Sequence, residues 1–277
     1  RKALTVAGPY ADYAEVSALQ LTTLFDTAEM GWSLDFDPNF VCELLYEGFY
    51  TMGEQVTLET PPIQTLLIAW DKRLSVWDFC ETHISRQVRK RAKRYRMTVD
   101  TAFDDVLLGC MQMHGETWLY RGWRWMIRKL YRDGYTGTKD IHVSVHSFEL
   151  WDEDSQLVAG DIGSFVGGVY TSMTGFHRQH SRSAGEVQLV LTAALLHKMG
   201  FSWVDLGQVI RYKEGLGAKV VDRAEYLERL YRDRDKHPEL RDCHEGLDSR
   251  DLIDHLLQVV AEAPRSSAKS LRREAAD

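Results

Sequence analysis

The chain has 277 residues, 44% hydrophobic and 27% charged, which is ordinary globular composition and enough for one large domain or two modest ones. No apolar run approaches the roughly 20 residues of a membrane-spanning helix. The formal net charge of −7 argues against a nucleic-acid binder, yet residues 86–96, RQVRKRAKRYR, hold seven cations and no anion, so the remainder carries twice that net negative charge. Such segregation marks a local site for an anionic partner better than net charge does.

In chain order, Asp37-Pro38 predicts a helix through Glu47, with Pro in the first turn and Val41, Leu44 and Leu45 on one face. Residues 55–59, 63–69 and 74–79 read as short strands. Ser85 is a suitable N-cap for the basic helix. Residues 95–99 form a strand, and 101–113 an amphipathic helix with Phe103, Val106, Leu107 and Cys110 on one side. A helix over 122–132 stops at Asp133-Gly134. Residues 142–151, 156–163 and 167–174 make an antiparallel meander. A long helix over 184–198 leads into a buried strand at 201–206, then a strand at 219–222 and a helix at 223–232. Residues 249–261 read as one further helix, and 264–277 as disordered. This order by itself gives an α+β fold and is typical of the GNAT-like acyltransferase type, with a small α/β part expected over 1–80, the main domain over 81–232, and a charged extension over 233–277.

Cys42, Cys80, Cys110 and Cys243 form no CxxC pair, and Cys42 and Cys110 sit in apolar helical runs as core thiols. A reducing, cytoplasmic setting is expected; the first residue is Arg1, which leaves room for an upstream targeting segment. No metal is expected. His142 and His146 share a strand face, but their spacing gives no tight chelate and no acidic third ligand is evident; Cys243-His244 lacks partners. The glycines of 163–168 come without a P-loop Lys and open no helix, so no nucleotide site is expected there.

Over about 150 positions the chain resembles the leucyl/phenylalanyl-tRNA–protein transferase family. The residues that carry the resemblance are Asp71-x-Arg73, His83-Ile84-Ser85-Arg86, Tyr95-Arg96-Met97-Thr98-Val99, Ala102-Phe103, Cys110 and Thr117-Trp118. They continue through His146-Ser147-x-Glu149-x-Trp151, Leu157-Val158-x-Gly160, Asp205 and Leu216-Gly217-Ala218. The resemblance implies transfer of an aminoacyl group from an aminoacyl-tRNA to the N-terminal amine of an acceptor protein or peptide. It implies site roles for Asp205, Trp118 and Glu149. The departures fall on the site. The family's Gly-Glu-Ser-Met-Phe-Ser region reads Ser172-Met173-Thr174-Gly175-Phe176-His177, with Met173 at the acidic position. The Asp-x-Gln motif reads Asp205-Leu206-Gly207, with Gln208 one place late; Tyr212 stands for a His, Leu67-Ile68 for paired Trp, and Ala184-Gly185-Glu186 for Ala-Ser-Lys. Asp161 stands where the family has an apolar Met of the amino-acid pocket.

Aminolysis of an activated ester needs orientation, a proton acceptor and oxyanion donors, and no cofactor. Asp205 at the end of a buried strand fits the acceptor; otherwise it caps the following turn. Gln208 replaces the displaced Gln if the strand ends in a bulge, and is otherwise an exposed loop residue. Asp161 either meets a cationic aminoacyl group or, by alternation with Val158 and Gly160, faces solvent; the alternation favours solvent. Arg86, Arg89, Lys90, Arg91, Lys93 and Arg94 are the expected phosphate contacts, or else a solvated charged face. Trp118, Tyr120, Trp123 and Trp125 can stack on a terminal adenine or belong to the core. A degenerate, non-catalytic RNA- or protein-binding module is the second reading. An acyl-CoA-dependent acyltransferase stands last, for want of the Arg/Gln-x-x-Gly-x-Gly/Ala phosphate loop.

Overall fold

The computed structural model describes residues 3–6, 13–15, 30–56, 62–181, 183–240 and 246–263. The expectations for Cys243-His244, for the end of the 55–59 strand and for 264–277 lie outside them.

The first helix, α1 (Pro38–Tyr46), starts as its sequence requires. Pro38 sits in the first turn, the Asp37 carboxylate accepts from the Phe40 N–H at 2.9 Å, and Phe40, Val41, Leu44 and Leu45 are buried. Five strands form a smaller antiparallel sheet in the order β2-β1-β3-β5-β4: β1 (Ala3–Val6), β2 (Tyr13–Glu15), β3 (Met30–Ser33), β4 (Tyr50–Val56) and β5 (Ile63–Ala69). β4 therefore begins five residues before the expected strand at 55–59, because Thr51 and Gly53 face inward where the pattern at 50–54 shows little apolar alternation.

The larger sheet has eight strands. They are β6 (Arg73–Trp77), β7 (Arg96–Val99), β8 (Val143–Trp151), β9 (Leu157–Val166), β10 (Val169–His177), β11 (Trp203–Gly207), β12 (Lys219–Asp222) and β13 (Leu247–Asp248). Their order is β12-β6-β11-β10-β9-β8-β7-β13. β8, β9 and β10 form the expected meander. Among the described residues β10 and β11 are the only parallel neighbours, and a helix provides their crossover.

That helix, α5 (Ala184–Lys198), is buried nearly all round, since it lies between the sheet and the C-terminal helix α8 (Ser249–Glu262). The basic helix α2 (Arg86–Ala92) packs on the same side, with the Ser85 hydroxyl capping it at 3.2 Å from the Val88 N–H. The opposite face carries α3 (Phe103–His114) and α4 (Arg121–Asp133). α4 turns Trp123, Met126, Ile127 and Leu130 inward and its cations outward. A single turn, α6 (Arg211–Glu214), which sequence periodicity is too short to reveal, precedes β12; α7 (Arg223–Asp233) follows it. There are thus two cores, one on each face of the large sheet. Part of the charged extension is ordered: Leu252, Ile253 and Leu256 are buried, and β13 extends the sheet beside β7.

Both faces being covered corrects one expectation. Every residue of β9 is buried, so alternation there separates two interiors instead of core from solvent. Asp161 is 1% exposed.

Candidate functional site

The parallel pair determines where a site can form. β10 and β11 are in register at Val169 and Trp203, Tyr170 and Val204, and Thr171 and Asp205, and there the pairing ends. β10 runs on to His177 beside β9, while β11 turns away beside β6. Both strands are irregular just past the last pair: the register shifts between Ser172 and Thr174 on β10, and between Asp205 and Gly207 on β11. Met173 and Leu206 are therefore the extra residues of two bulges that flank the split. Gly207 takes φ +66°, a left-handed conformation open to glycine, which lets the chain leave the sheet.

Asp205 lies at this split and is almost fully buried. Its Oδ2 accepts from the Tyr226 hydroxyl at 2.9 Å and the Thr171 hydroxyl at 3.2 Å; its Oδ1 accepts from the Gly207 N–H at 2.6 Å. Burial raises its pKa, while Gly207, Tyr226, Thr171 and the nearby Arg223 guanidinium act in the opposite direction. An ionised carboxylate has about four acceptor positions, so the three donors found among the described residues leave one on Oδ1 for a ligand.

Asp161 is buried in the other core, among residues beneath α5. The Tyr170 hydroxyl donates to its Oδ2 at 2.5 Å and the Ser172 hydroxyl to its Oδ1 at 2.9 Å. Burial pushes its pKa up to about 7. Lys213, on α6 and 7% exposed, is near enough to both carboxylates to feel their charge. Its ammonium donates to the Leu206 carbonyl and, at 2.9 Å, to the Gln208 carbonyl, which ties down the chain leaving β11. Burial lowers the Lys213 pKa, and the negative charges of Asp205 and Asp161 oppose that shift. Sequence reasoning missed Lys213. The available signal was a cation three residues before Leu216-Gly217-Ala218, in a turn too short to show a pattern.

The other expected residues are placed differently. Gln208 is exposed, and the bulge that could have brought it inward displaces Leu206 instead. Met173 is half-buried against the core at the split. Glu149 is fully buried and holds local structure: its carboxylate accepts from Thr98 and Ser147 hydroxyls, each at 2.6 Å, and from the Ala102 N–H at the start of α3 at 3.3 Å. Trp118 is half-buried and packs edge-on against Trp123 at 5.4 Å, with His114 beyond it; His114 Nε2 lies 2.7 Å from the Gly175 carbonyl on β10. Trp123 is core, whereas Trp125 is 53% exposed.

Arg86, Arg89 and Lys90 on α2 and Lys93 at its C-cap are exposed and have no ion-pair partner among the described residues. Arg94 pairs with Glu153 at 3.3 Å, both well exposed. Arg91 is half-buried and donates to the Ser183 hydroxyl at the start of α5, so it joins two helices.

An α+β fold whose parallel strands β10 and β11 part beside two buried carboxylates and a buried ammonium defines the class. Residues 76–231 match the family described as Leucyl/phenylalanyl-tRNA protein transferase, and the chain belongs to that family. Among its relatives, the Leucyl/phenylalanyl-tRNA--protein transferase of Shewanella baltica (strain OS223) is 33% identical over 152 residues, 53% of this chain and 59% of that protein. The enzyme of the same name from Stutzerimonas stutzeri (strain A1501) is 32% identical over 152 residues, 54% of this chain and 63% of its own. That of Shewanella sp. (strain W3-18-1) is 29% identical over 213 residues, covering 74% and 82%. The first two matches span less than two thirds of the relatives' length. The solved structure of L-PGS from Bacillus licheniformis overlaps 57% of this chain and 46% of its own, with a TM-score of 0.30 and 12% identity, too little to carry an argument.

Proposed function

We propose that this chain transfers an aminoacyl group from an aminoacyl-tRNA to the free N-terminal amine of a protein or peptide in the cytoplasm. The observation that carries the reading is Asp205, a buried carboxylate with one acceptor position left for a ligand where β10 and β11 part. In this reading the larger sheet is GNAT-like and the split holds the ester. Residues 1–80 supply a smaller part, apart from β6, which pairs with β11 in the larger sheet; residues 81–232 form the transferase domain and 233–277 the extension.

The acceptor amine, with an ordinary pKa of about 7.7–8.0, attacks the ester carbonyl as the free base. The nitrogen–carbon bond forms as Asp205 Oδ1 takes a proton from the nitrogen; the ester C–O bond then breaks, and Asp205 passes that proton to the departing tRNA 3′-oxygen. Burial raises the basicity of Asp205 toward that of the amine, which favours this transfer. Lys213, with one N–H beyond those given to the two carbonyls, places positive charge near the developing oxyanion. The exposed cations of α2 hold the acceptor arm through its phosphates. Trp118 and Met173 line the approach, and Asp161 favours a polar or cationic aminoacyl group over an apolar one.

Single-turnover transfer from a mixture of charged tRNAs to a peptide with a free N-terminus tests this. Asp205→Asn is expected to retain tRNA affinity and lower transfer by roughly 10²-fold or more, the scale of general-base assistance. Full activity in that variant would make the carboxylate structural. Tight tRNA binding with no transfer by the wild type would favour a non-catalytic RNA-binding member, a reading supported by Met173 in place of the family's acidic residue.

A further inference from the structure

Separated from β11 by β10 and β9, on the α5 side of the sheet, β8 carries a second constellation unrelated to the carboxylates at the split. Ser144 and His146 stand two residues apart on β8 and so point to the same face. Asp100 follows β7 and takes φ +55°, a left-handed conformation that Asp tolerates better than most residues. This conformation folds Asp100 back onto β8. Its N–H donates to the Ser147 carbonyl at 3.0 Å and its Oδ1 accepts from the Ser147 N–H at 2.9 Å. Its Oδ2 is left for the imidazole of His146, 2.6 Å from Nδ1. On the other side of the ring, Nε2 lies 3.0 Å from the Ser144 hydroxyl.

The tautomer follows from the carboxylate. Asp100 can only accept, so Nδ1 carries the proton and Nε2 is the acceptor for the Ser144 O–H. Carboxylate, imidazole and hydroxyl are thus in the order and spacing that activate a serine nucleophile. Ser144 and His146 also border an open cavity of about 660 Å³. Ile141, Val143, Phe165 and Phe201 give that cavity an apolar part suited to an acyl chain, and the Phe165 ring meets His146 edge-on at 5.2 Å.

We propose that Asp100, His146 and Ser144 form a second catalytic site, a serine esterase centre for small carboxylic esters with an apolar acyl group. Ser144 Oγ attacks the ester carbonyl while His146 Nε2 takes the hydroxyl proton. The oxygen–acyl bond forms, and the ester C–O bond breaks as the imidazolium returns that proton to the departing alcohol. Water, activated by the same nitrogen, then releases the acid and restores Ser144. Asp100 holds the ring and stabilises the imidazolium.

The test uses the full chain with a fluorophosphonate probe and, separately, p-nitrophenyl butyrate. The probe is expected to attach to Ser144, located by mass spectrometry of the digested protein. Ser144→Ala should abolish labelling and lower ester hydrolysis by roughly 10²-fold or more, and His146→Gln should slow both comparably, as loss of the base requires. Because Ser144 is half-exposed and its backbone is paired with Phe165 on β9, Ser144→Ala is expected to keep the wild-type circular dichroism. tRNA-dependent transfer should be unchanged in Ser144→Ala, which separates this site from the one at Asp205. Absence of labelling at Ser144, or labelling and hydrolysis indifferent to His146→Gln, would overturn the proposal and leave the three residues as a structural hydrogen-bond chain.

Discussion

The hydroxyl of Tyr226 reaches across from α7 to the buried carboxylate of Asp205, donating to Oδ2 at 2.9 Å. The two residues are 21 apart in sequence, and β12 and α6 intervene between them. The helix that closes the domain therefore also adjusts the residue proposed as the base.

Tyr226→Phe removes that donor and leaves Asp205 with Thr171 and Gly207. Loss of one hydrogen bond to a buried carboxylate should cost about 1–3 kcal/mol of stability. It should also move the Asp205 pKa further up, because the charged form then has one donor fewer. Below that pKa Asp205 is protonated and cannot accept a proton, so the acidic limb of the kcat/KM profile should shift to higher pH. A pH–rate series on both proteins checks this; an unmoved acidic limb would mean that Asp205 does not set it.

Asp161 makes a prediction about stability. Its pKa in the folded protein is raised from 3.8 to about 7, so between those values the folded state holds a proton that the unfolded chain has released. This contribution is fully present below pH 3.8 and disappears as pH rises through about 7. At 1.36 kcal/mol per pKa unit it amounts to roughly 4 kcal/mol. Urea unfolding at pH 5 and pH 8 should show wild type losing stability on the alkaline side and Asp161→Asn losing distinctly less. Equal losses in the two proteins would mean that Lys213 keeps Asp161 ionised throughout.

The basic helix can be tested without damaging the fold, because its cations divide by position. Reversing Arg86, Arg89, Lys90 and Lys93 to Glu, and sparing Arg91 for its bond to Ser183, alters exposed groups alone. Filter binding across a salt series should show weaker tRNA binding. It should also show a shallower dependence of log affinity on log salt, by about 0.7–0.9 for each phosphate that the protein no longer neutralises. An unchanged slope would identify these charges as a solvated face.

Much of this molecule can be read from the chain because its signals are local. Asp37-Pro38 starts α1, Ser85 caps α2, and the ordered run from His83 to Ala218 carries the family likeness; none of these depends on distant residues. The meander of β8, β9 and β10 is also legible, since its turns and apolar residues are consecutive. Asp205 could be placed at the end of a buried strand for the same reason. The burial of Asp161 could not, because alternation records two faces and only the packing of helices on both sides turns each into an interior. Lys213 was hidden in a single turn, and its importance comes from two carbonyls and two carboxylates that the fold gathers around it. The pairing of Asp100 with His146 was out of reach as well. It spans 46 residues and depends on β7 lying beside β8 and on one left-handed aspartate turning its carboxylate toward the imidazole, a choice made by strand pairing and not by residue type.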